Sequence, residues 1–485
     1  MNTYIGIDLG TSSAKFLLVD ESGNILSSHT EQYAVRYPQS GWSEQDPRDW
    51  FAAADRGMPL LLKGFNGKDV RGISFGGQMH GLVVLDKNDN VIRPCILWND
   101  GRTEKQTAYL NEAVGKDKLS AYTANIAFAG FTAPKLLWLK ENEPDNFNAI
   151  AKIMLPKDYL CYLFTGEHAT DYSDAAGTLL LDVENMRWSG DMLRLCGINK
   201  SVLPRLCKSY EKVGVLNGNL ARRWGLGDGV TVAAGAGDNA AAAVGTGTVS
   251  EGACSISLGT SGTVFIARDK FATDGENALH SFCHANGKWH LMGCILSAAS
   301  CNGWWMNVLG AEDFTAEQSG PSSGGVYFMP YLMGERSPHN DVNAKGAFIG
   351  LRPDTTRGQM TRAVLEGVAF ALRDCVEAAK RSGAKISSAR ICGGGAKSVI
   401  WRQIIADVLN IPVEIPATVE GPAYGAAMLA MVACGVFGSV EEAAEKLVRV
   451  AGTVSPSPQS VRDYDTKYTV YKRLYPALKG VFADM

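Results

Sequence analysis

Read for the spacing of apolar and polar positions, the chain begins with a strand, a turn and a second strand. YIGIDLG is apolar with one acid, GTSS is a tight turn, and FLLVD resumes the apolar run before ESGN turns the chain into a third strand, a β-meander. DPRDWFAAADRGMPLLLKG then carries apolar residues at helical spacing behind an Asp46-Pro47 start signal, followed by the strand VRGISFGG and another in GLVVLDKNDNVI. Strands and helices alternate from there on, which predicts an α/β fold.

The same device recurs half a chain later. SISLGTSGTVFIARD at 255–269 repeats the order strand, LGTS turn, strand of IGIDLGTSSAKFLLVD at 5–20, which predicts a duplicated domain with a boundary near the glycines of GTGTVSEG. Beyond it we expect a helix in CILSAASCNGWWMNVLG and a loop-rich insertion over FMPYLMGERSPHNDVNAKGAFIGL. The stretch TRGQMTRAVLEGVAFALRDCVEAAKRSG predicts a long amphipathic helix with Val364, Val368, Ala371, Leu372 and Cys375 on one face. The strand SSARICGGG, a helix over about 398–409, the strand VEIPATVE and the helix YGAAMLAMVACG follow, and the last forty-odd residues read as helical and polar enough to lie outside. The expected division is 1–246, 247–440 and a helical segment 441–485.

Composition narrows the class. At 485 residues, 46% hydrophobic and 20% charged with a net charge of −3, the chain is a soluble globular protein of more than one domain, without the basic footprint of a nucleic-acid binder. Eleven cysteines, never spaced CxxC, read as reduced core thiols of a cytoplasmic protein, and the N-terminal sequence has neither signal-peptide nor membrane-spanning character. Seven scattered histidines argue against a histidine metal site.

Three stretches carry chemistry. In GIDLGTSSAK the turn offers backbone N–H groups and the hydroxyls of Thr11 and Ser12, donors suited to phosphate oxygens. Asp8, at the strand end, would repel phosphate unless a cation intervenes, so its expected task is Mg²⁺, direct or through water; Lys15 adds charge if it points inward. A plain hairpin turn explains the stretch equally well until its copy is counted: Gly259, Thr260 and Ser261 repeat the turn, with Ser257 in place of Asp8. CGGGAKS at 392–398 has Ala396 where a P-loop needs glycine, so its glycines instead permit a close backbone approach, suited to a flat adenine or ribose.

GAGDNA at 235–240 fits the loose dinucleotide pattern GxGxxA. An aspartate at 238, however, would meet the pyrophosphate with like charge. A carboxylate at a helix N-terminus stays ionised and has the traits of a general base, or of an ordinary helix cap. GGQMHG places Gln78, Met79 and His80 in a turn, and ILWNDGR gathers Trp98, Asn99, Asp100 and Arg102, a mix of polar groups and a flat ring that suits polyol recognition.

With YIGIDLGTSSAK, WSEQDP, GGQMHG, ILWNDGR, GFTAPKLLWLKEN, LPKDYL, SDAAGT, GDNAAAAVG, SLGTSG, SFCHA, LSAASC, YLMGERSPHN, GAFIGL and GGGAKSVIWRQIIADVLN in this order, the chain resembles the FGGY carbohydrate kinases of the sugar kinase, Hsp70 and actin superfamily over nearly its full length. The resemblance implies two ribonuclease-H-like domains with a catalytic cleft between them, ATP and Mg²⁺ as cosubstrates, and phosphorylation of a sugar. D-Xylulose at its 5-hydroxyl is the leading acceptor, and ribulose, gluconate or another pentulose or hexulose the alternatives; a non-catalytic sugar or nucleotide sensor is the rival class. It also implies that Asp238 is the base, that Met79, His80, Asp238 and Asn239 contact the sugar, and that Asp8 is linked to the metal. Thr11, Ser12, Gly259 and Thr260 would then contact phosphate, and Gly394, Gly395 and Ala396 adenosine. A homodimer is what the family suggests.

Overall fold

The computed structural model describes residues 1–310, 320–418 and 420–485. The chain forms two compact units: Met1–Val249 with Ser281–Trp289 and Glu420–Val448, and Ser250–His280 with His290–Val419 and Arg449–Met485. The division expected at 246 and 440 is therefore met by an interleaved one, in which two later segments return to the first unit. The physical reason for the larger return is glycine. A Cβ on Gly6 would lie 1.9 Å from the Ala423 carbonyl oxygen, one on Gly245 2.0 Å from that of Gly421, and one on Gly425 1.9 Å from that of Ala241. The helix Gly421–Ala433, apolar on nearly every side, thus lies backbone to backbone against the strand Thr3–Leu9 and the helix Asp238–Gly245. Only glycine permits such an approach.

In the first unit the sheet runs Lys212–Val215, Thr231–Ala233, Val70–Gly77, Thr3–Leu9, Ser13–Asp20, Ile25–Gln32, with Ala236–Gly237 also pairing Val70–Gly77. The last three strands are the expected antiparallel meander. Its second turn is built by Asp20, whose Oδ1 accepts the N–H groups of Ser22 and Asn24 at 2.9 Å each. Asp46 caps the helix Pro47–Leu61, its side chain accepting from the N–H of Arg48. Two crossovers then make Val70–Gly77 parallel to Thr3–Leu9 and Thr231–Ala233 parallel to Val70–Gly77.

The second unit repeats this order. Trp289–Ile295 flanks Gly262–Arg268, Cys254–Leu258, Ala389–Cys392, Val413–Pro416 and Val450–Val454. Cys254–Leu258 is antiparallel to Gly262–Arg268 and parallel to Ala389–Cys392, as Thr3–Leu9 is to its own neighbours. The helix Arg357–Arg381 starts at a Thr356–Gln359 capping box and buries Val364, Val368, Ala371, Leu372 and Cys375.

Three expectations are revised. The helix expected in CILSAASCNGWWMNVLG begins only at Ala299, because Cys294 and Ile295 still belong to the strand Trp289–Ile295. The insertion around GERSPHN includes a strand pair, Tyr327–Met329 with Ala347–Ile349. The C-terminal segment contains an edge strand, Val450–Val454, and the helix Pro458–Tyr471 buries Tyr464, Tyr468 and Tyr471 at i, i+4, i+7 in the second core. Of VEIPATVE, Val413–Pro416 is the strand, and Val419 lies outside the described residues. Among the described residues no helix is long and apolar enough to cross a membrane.

Candidate active site

In the first unit the candidate residues gather where three parallel strands end. Asp8 is paired with Gly76, and Ala236 and Gly237 lie on the other side of the same strand, paired with Gly76 and Gly77. The carboxyl ends of parallel strands are where open α/β sheets bind ligands. Two glycines between the acidic positions leave that end free of bulk.

Asp238 is the first residue of the helix Asp238–Gly245, with Gly237 as its N-cap, so it is not the capping residue. Its Oδ1 accepts the Asn239 N–H at 2.7 Å and the Asn239 amide Nδ2 at 2.9 Å. The helix end was expected to hold it ionised, but burial outweighs those hydrogen bonds and pushes its carboxyl up to about 6. Asp8 is pushed up to about 7, first by burial, then by Asp238, with Lys15 opposing and Glu420 adding. Lys15 stands across the hairpin from Asp8 and forms an ion pair with Glu420. Glu420 carries no weight in the sequence reading, because the fold alone returns it to this unit.

The turn beside Asp8 is held from behind. The Gly10 carbonyl accepts the Tyr33 hydroxyl at 2.6 Å, the Thr11 carbonyl the Gln45 amide at 2.5 Å, and the Ser12 carbonyl the Tyr33 N–H at 3.1 Å. The N–H groups of Thr11 and Ser12 have no acceptor among the described residues, which leaves donors available to an anion. Trp98, 43% exposed, donates its indole N–H to Thr11 Oγ1 at 3.0 Å. Gln45 also accepts the Gln78 amide at 3.0 Å, tying the turn to the loop of Met79 and His80.

That loop is tightly fixed. His80 has φ 70°, a left-handed conformation unusual for a side chain of its size. Its carbonyl accepts Thr132 Oγ1 at 3.0 Å and the buried Lys135 ammonium at 2.8 Å, and its ring stacks on Phe131 at 4.6 Å. Nδ1 lies 2.6 Å from the Gly177 carbonyl oxygen; a carbonyl only accepts, so Nδ1 carries the hydrogen and Nε2 is an acceptor in the neutral ring. Met79 fills the space beside Gly237, 3.0 Å from where a Cβ would stand. The structure thus brings Asp8, Thr11, Ser12, Met79, His80, Asp238 and Asn239 together within one unit. Asp100 and Arg102 are engaged with each other and with the fold: the Arg102 side chain is fully buried, pairs with Asp100 and Glu44 at 2.7 Å each, and stacks 3.7 Å over Trp42.

The second unit holds the remaining candidates. The carbonyls of Gly259 and Thr260 accept the N–H groups of Ala299 and Ala298 at 2.9 Å, so the following helix start braces this turn. The N–H groups of Thr260 and Ser261 have no acceptor among the described residues. Gly393, at φ 92°, would set a Cβ 2.6 Å from the Leu258 carbonyl, and Gly395 3.1 Å from Leu258 Cβ, so the glycine run lies against the strand that enters the turn. At Gly394 a Cβ would meet nothing within 4 Å. Ala396 is half-buried against the second core.

The FGGY family of carbohydrate kinases matches the chain twice, its N-terminal domain over residues 3–245 and its C-terminal domain over 254–434. A xylulose kinase of Escherichia coli K12 is 42% identical over 99% of this chain and 100% of its own. Among solved structures, a xyloylose kinase from Brucella ovis superimposes with a TM-score of 0.94 at 42% identity, covering 99% of this chain and 100% of that one. A gluconate kinase from Lactobacillus acidophilus superimposes with a TM-score of 0.95 at 25% identity, covering 100% and 99%.

Proposed function

Since the chain belongs to the FGGY family of carbohydrate kinases, we propose that it is an ATP-dependent kinase of D-xylulose, forming D-xylulose 5-phosphate. The observation that carries the chemistry is the siting of Asp238: a carboxylate at the open end of three strands, with a proton affinity raised by burial. A base must hold the hydroxyl proton as the sugar oxygen attacks, and a carboxyl poised nearer neutrality holds it better than an ordinary one. Asn239 orients Asp238 and faces the same sugar, His80 accepts a sugar hydroxyl at Nε2, and Met79 covers its apolar side. The N–H donors of Thr11 and Ser12 hold phosphate oxygens. The second unit contributes Gly259 and Thr260 to phosphate, and Gly394, Gly395 and Ala396 to adenosine.

Asp8 is the residue to hold Mg²⁺, directly or through water. A half-buried carboxyl with a second one near it has a place for a cation. Among the described residues no group of three or more His, Cys, Asp or Glu forms a cage for a metal ion, which suits Mg²⁺ bound by few carboxylates and by phosphate. When bound, the ion would offset the charge of the phosphate oxygens. All eleven cysteines are free thiols, in keeping with a cytoplasmic enzyme.

D-Xylulose is favoured over gluconate by 42% against 25% identity to structures named for the respective kinases. The test is sugar-stimulated ADP release across D-xylulose, D-ribulose, gluconate and glycerol. Release with D-xylulose at the highest kcat/KM is expected. Release with none overturns the kinase, and a higher kcat/KM on another acceptor overturns the substrate.

A further inference from the structure

LPKDYL and the aspartates of DYSDAAGT have no part in the chemistry above, yet they meet behind the proposed base. The Lys157 ammonium, fully buried, stands 2.6 Å from Asp158, 3.0 Å from Asp171 and 3.8 Å from Asp174, all three buried as well. One cation faces three carboxyls, and the three differ in what they receive. Asp171 Oδ2 accepts the Ser173 N–H at 2.8 Å and the hydroxyls of Ser173 at 2.5 Å and Ser209 at 2.6 Å, while its Oδ1 faces Lys157. Neither oxygen of Asp174 has a hydrogen-bond partner among the described residues. Burial pushes Asp174 well above the usual carboxylate range, with Lys157 opposing and Asp158, Asp171 and Asp238 adding.

The chain of contacts does not end at Asp171. With its own hydrogen given to Asp171, the Ser173 hydroxyl oxygen accepts the Gly237 N–H at 3.1 Å. Gly237 is the residue before Asp238 and the N-cap of its helix. The path Lys157, Asp171, Ser173, Gly237 therefore runs from a buried ion pair to the peptide that aims the Asp238 carboxyl, and each hydroxyl or N–H along it has one acceptor. Ser209 shares the same Asp171 oxygen but its hydroxyl leads to no other group on this path.

We propose that Ser173, oriented by the Lys157–Asp171 pair, is a positioning residue that fixes the backbone entering Asp238 and thereby the aim of the base. The proposal rests on the kinase reading for its catalytic consequence, and on the hydrogen bonds alone for its structural one. Ser173→Ala removes the link while keeping a good helix former, and Ser209→Ala removes a like hydroxyl from Asp171 without touching Gly237. For Ser173→Ala we expect kcat about tenfold lower, KM for sugar and for ATP each within about twofold, and faster amide hydrogen exchange over residues 235–240, with a still cooperative melt a few degrees lower because the buried Gly237 N–H loses its acceptor. Ser209→Ala should keep kcat and that exchange. Wild-type kcat in Ser173→Ala, or an equal loss in Ser209→Ala, overturns the proposal. Should the wild-type enzyme phosphorylate no sugar, the kinase reading fails, and unchanged exchange in Ser173→Ala overturns the positioning by itself.

Discussion

The two LGTS hairpins share a backbone and differ in what stands behind it. In both, a strand is antiparallel to its hairpin partner and parallel to its other neighbour, and the turn carbonyls are tied back while N–H groups at the turn lack acceptors among the described residues. Behind the first turn stand Asp8, Lys15, Asp238 and Glu420. The residue in the place of Asp8 in the second is Ser257, paired across the strands with Thr263 and Cys392, none of them charged. One duplicated device thus serves two tasks. The backbone offers N–H donors to an anion in either copy, but among these positions only the first has ionisable groups, the kind that can take up a proton or face a cation.

Removing the charge that distinguishes the two copies should have the greatest consequence. Asp238→Ala should lower kcat by about 10²-fold or more while the protein still binds D-xylulose in calorimetry; turnover near the wild-type rate would show that the first unit holds no base at this position. The matched pair comes next. Asp8→Asn should lower kcat by about tenfold to a hundredfold and raise the Mg²⁺ concentration needed for half-maximal rate, whereas Ser257→Ala, at the equivalent place, should change kcat by no more than about threefold. Equal losses in the pair would mean that the copies are not chemically distinct.

How far the sequence foretold this depends on which physical scale each feature obeys. The repeated hairpins, the capped helix after Asp46 and the buried face of Arg357–Arg381 follow from local periodicity and turn chemistry, which the chain writes out in order. The return of Gly421–Ala433 to the first unit does not, because it is decided by Gly6, Gly245 and Gly425 meeting across hundreds of residues. The ion pair of Glu420 with Lys15 and the tie from Ser173 to Gly237 were invisible because they too are made between segments distant in the chain. Asp238 was legible as a lone acid among small residues. Its raised proton affinity was not, because the local helix end predicts the opposite sign, and burial, a tertiary quantity, prevails. The partners of Arg102 were not legible either: in sequence it stands near Trp98, and the fold pairs it with Asp100 and Glu44 and stacks it on Trp42.

The acidity of the first unit can be read by pH. With Asp238 pushed up to about 6, kcat should rise through that value, being about tenfold lower at pH 5 than at its plateau. Stability moves the other way. A carboxyl whose folded pKa lies above its unfolded value of about 4 stabilises the fold fully below that value and ceases to as pH rises through about 6. Asp8, held at about 7, acts in the same direction, with Asp174, Lys15 and Glu420 the other ionisable neighbours. Asp238→Asn should therefore melt at a temperature that gains on the wild type between pH 4 and pH 8. A melting-temperature difference, variant minus wild type, that stays flat or falls over that range would refute the raised affinity.

In the second unit the turn and its neighbouring glycines offer backbone and space rather than charge. Gly393 and Gly394 are adjacent but constrained differently. At Gly393, φ 92° and a Cβ position 2.6 Å from the Leu258 carbonyl oxygen make alanine a strain on the fold itself, so Gly393→Ala should lower the melting temperature whatever the ligand. At Gly394 nothing lies within 4 Å of a Cβ and φ is not in the left-handed range, so the protein alone has no reason to require glycine there. If adenosine lies over this residue, a methyl group enters its space. Gly394→Ala should then raise KM for ATP about threefold to tenfold, with KM for D-xylulose and the melting temperature unchanged. An unaltered KM for ATP in that variant would move the adenosine contact away from Gly394 and leave the second turn without its neighbour in nucleotide binding.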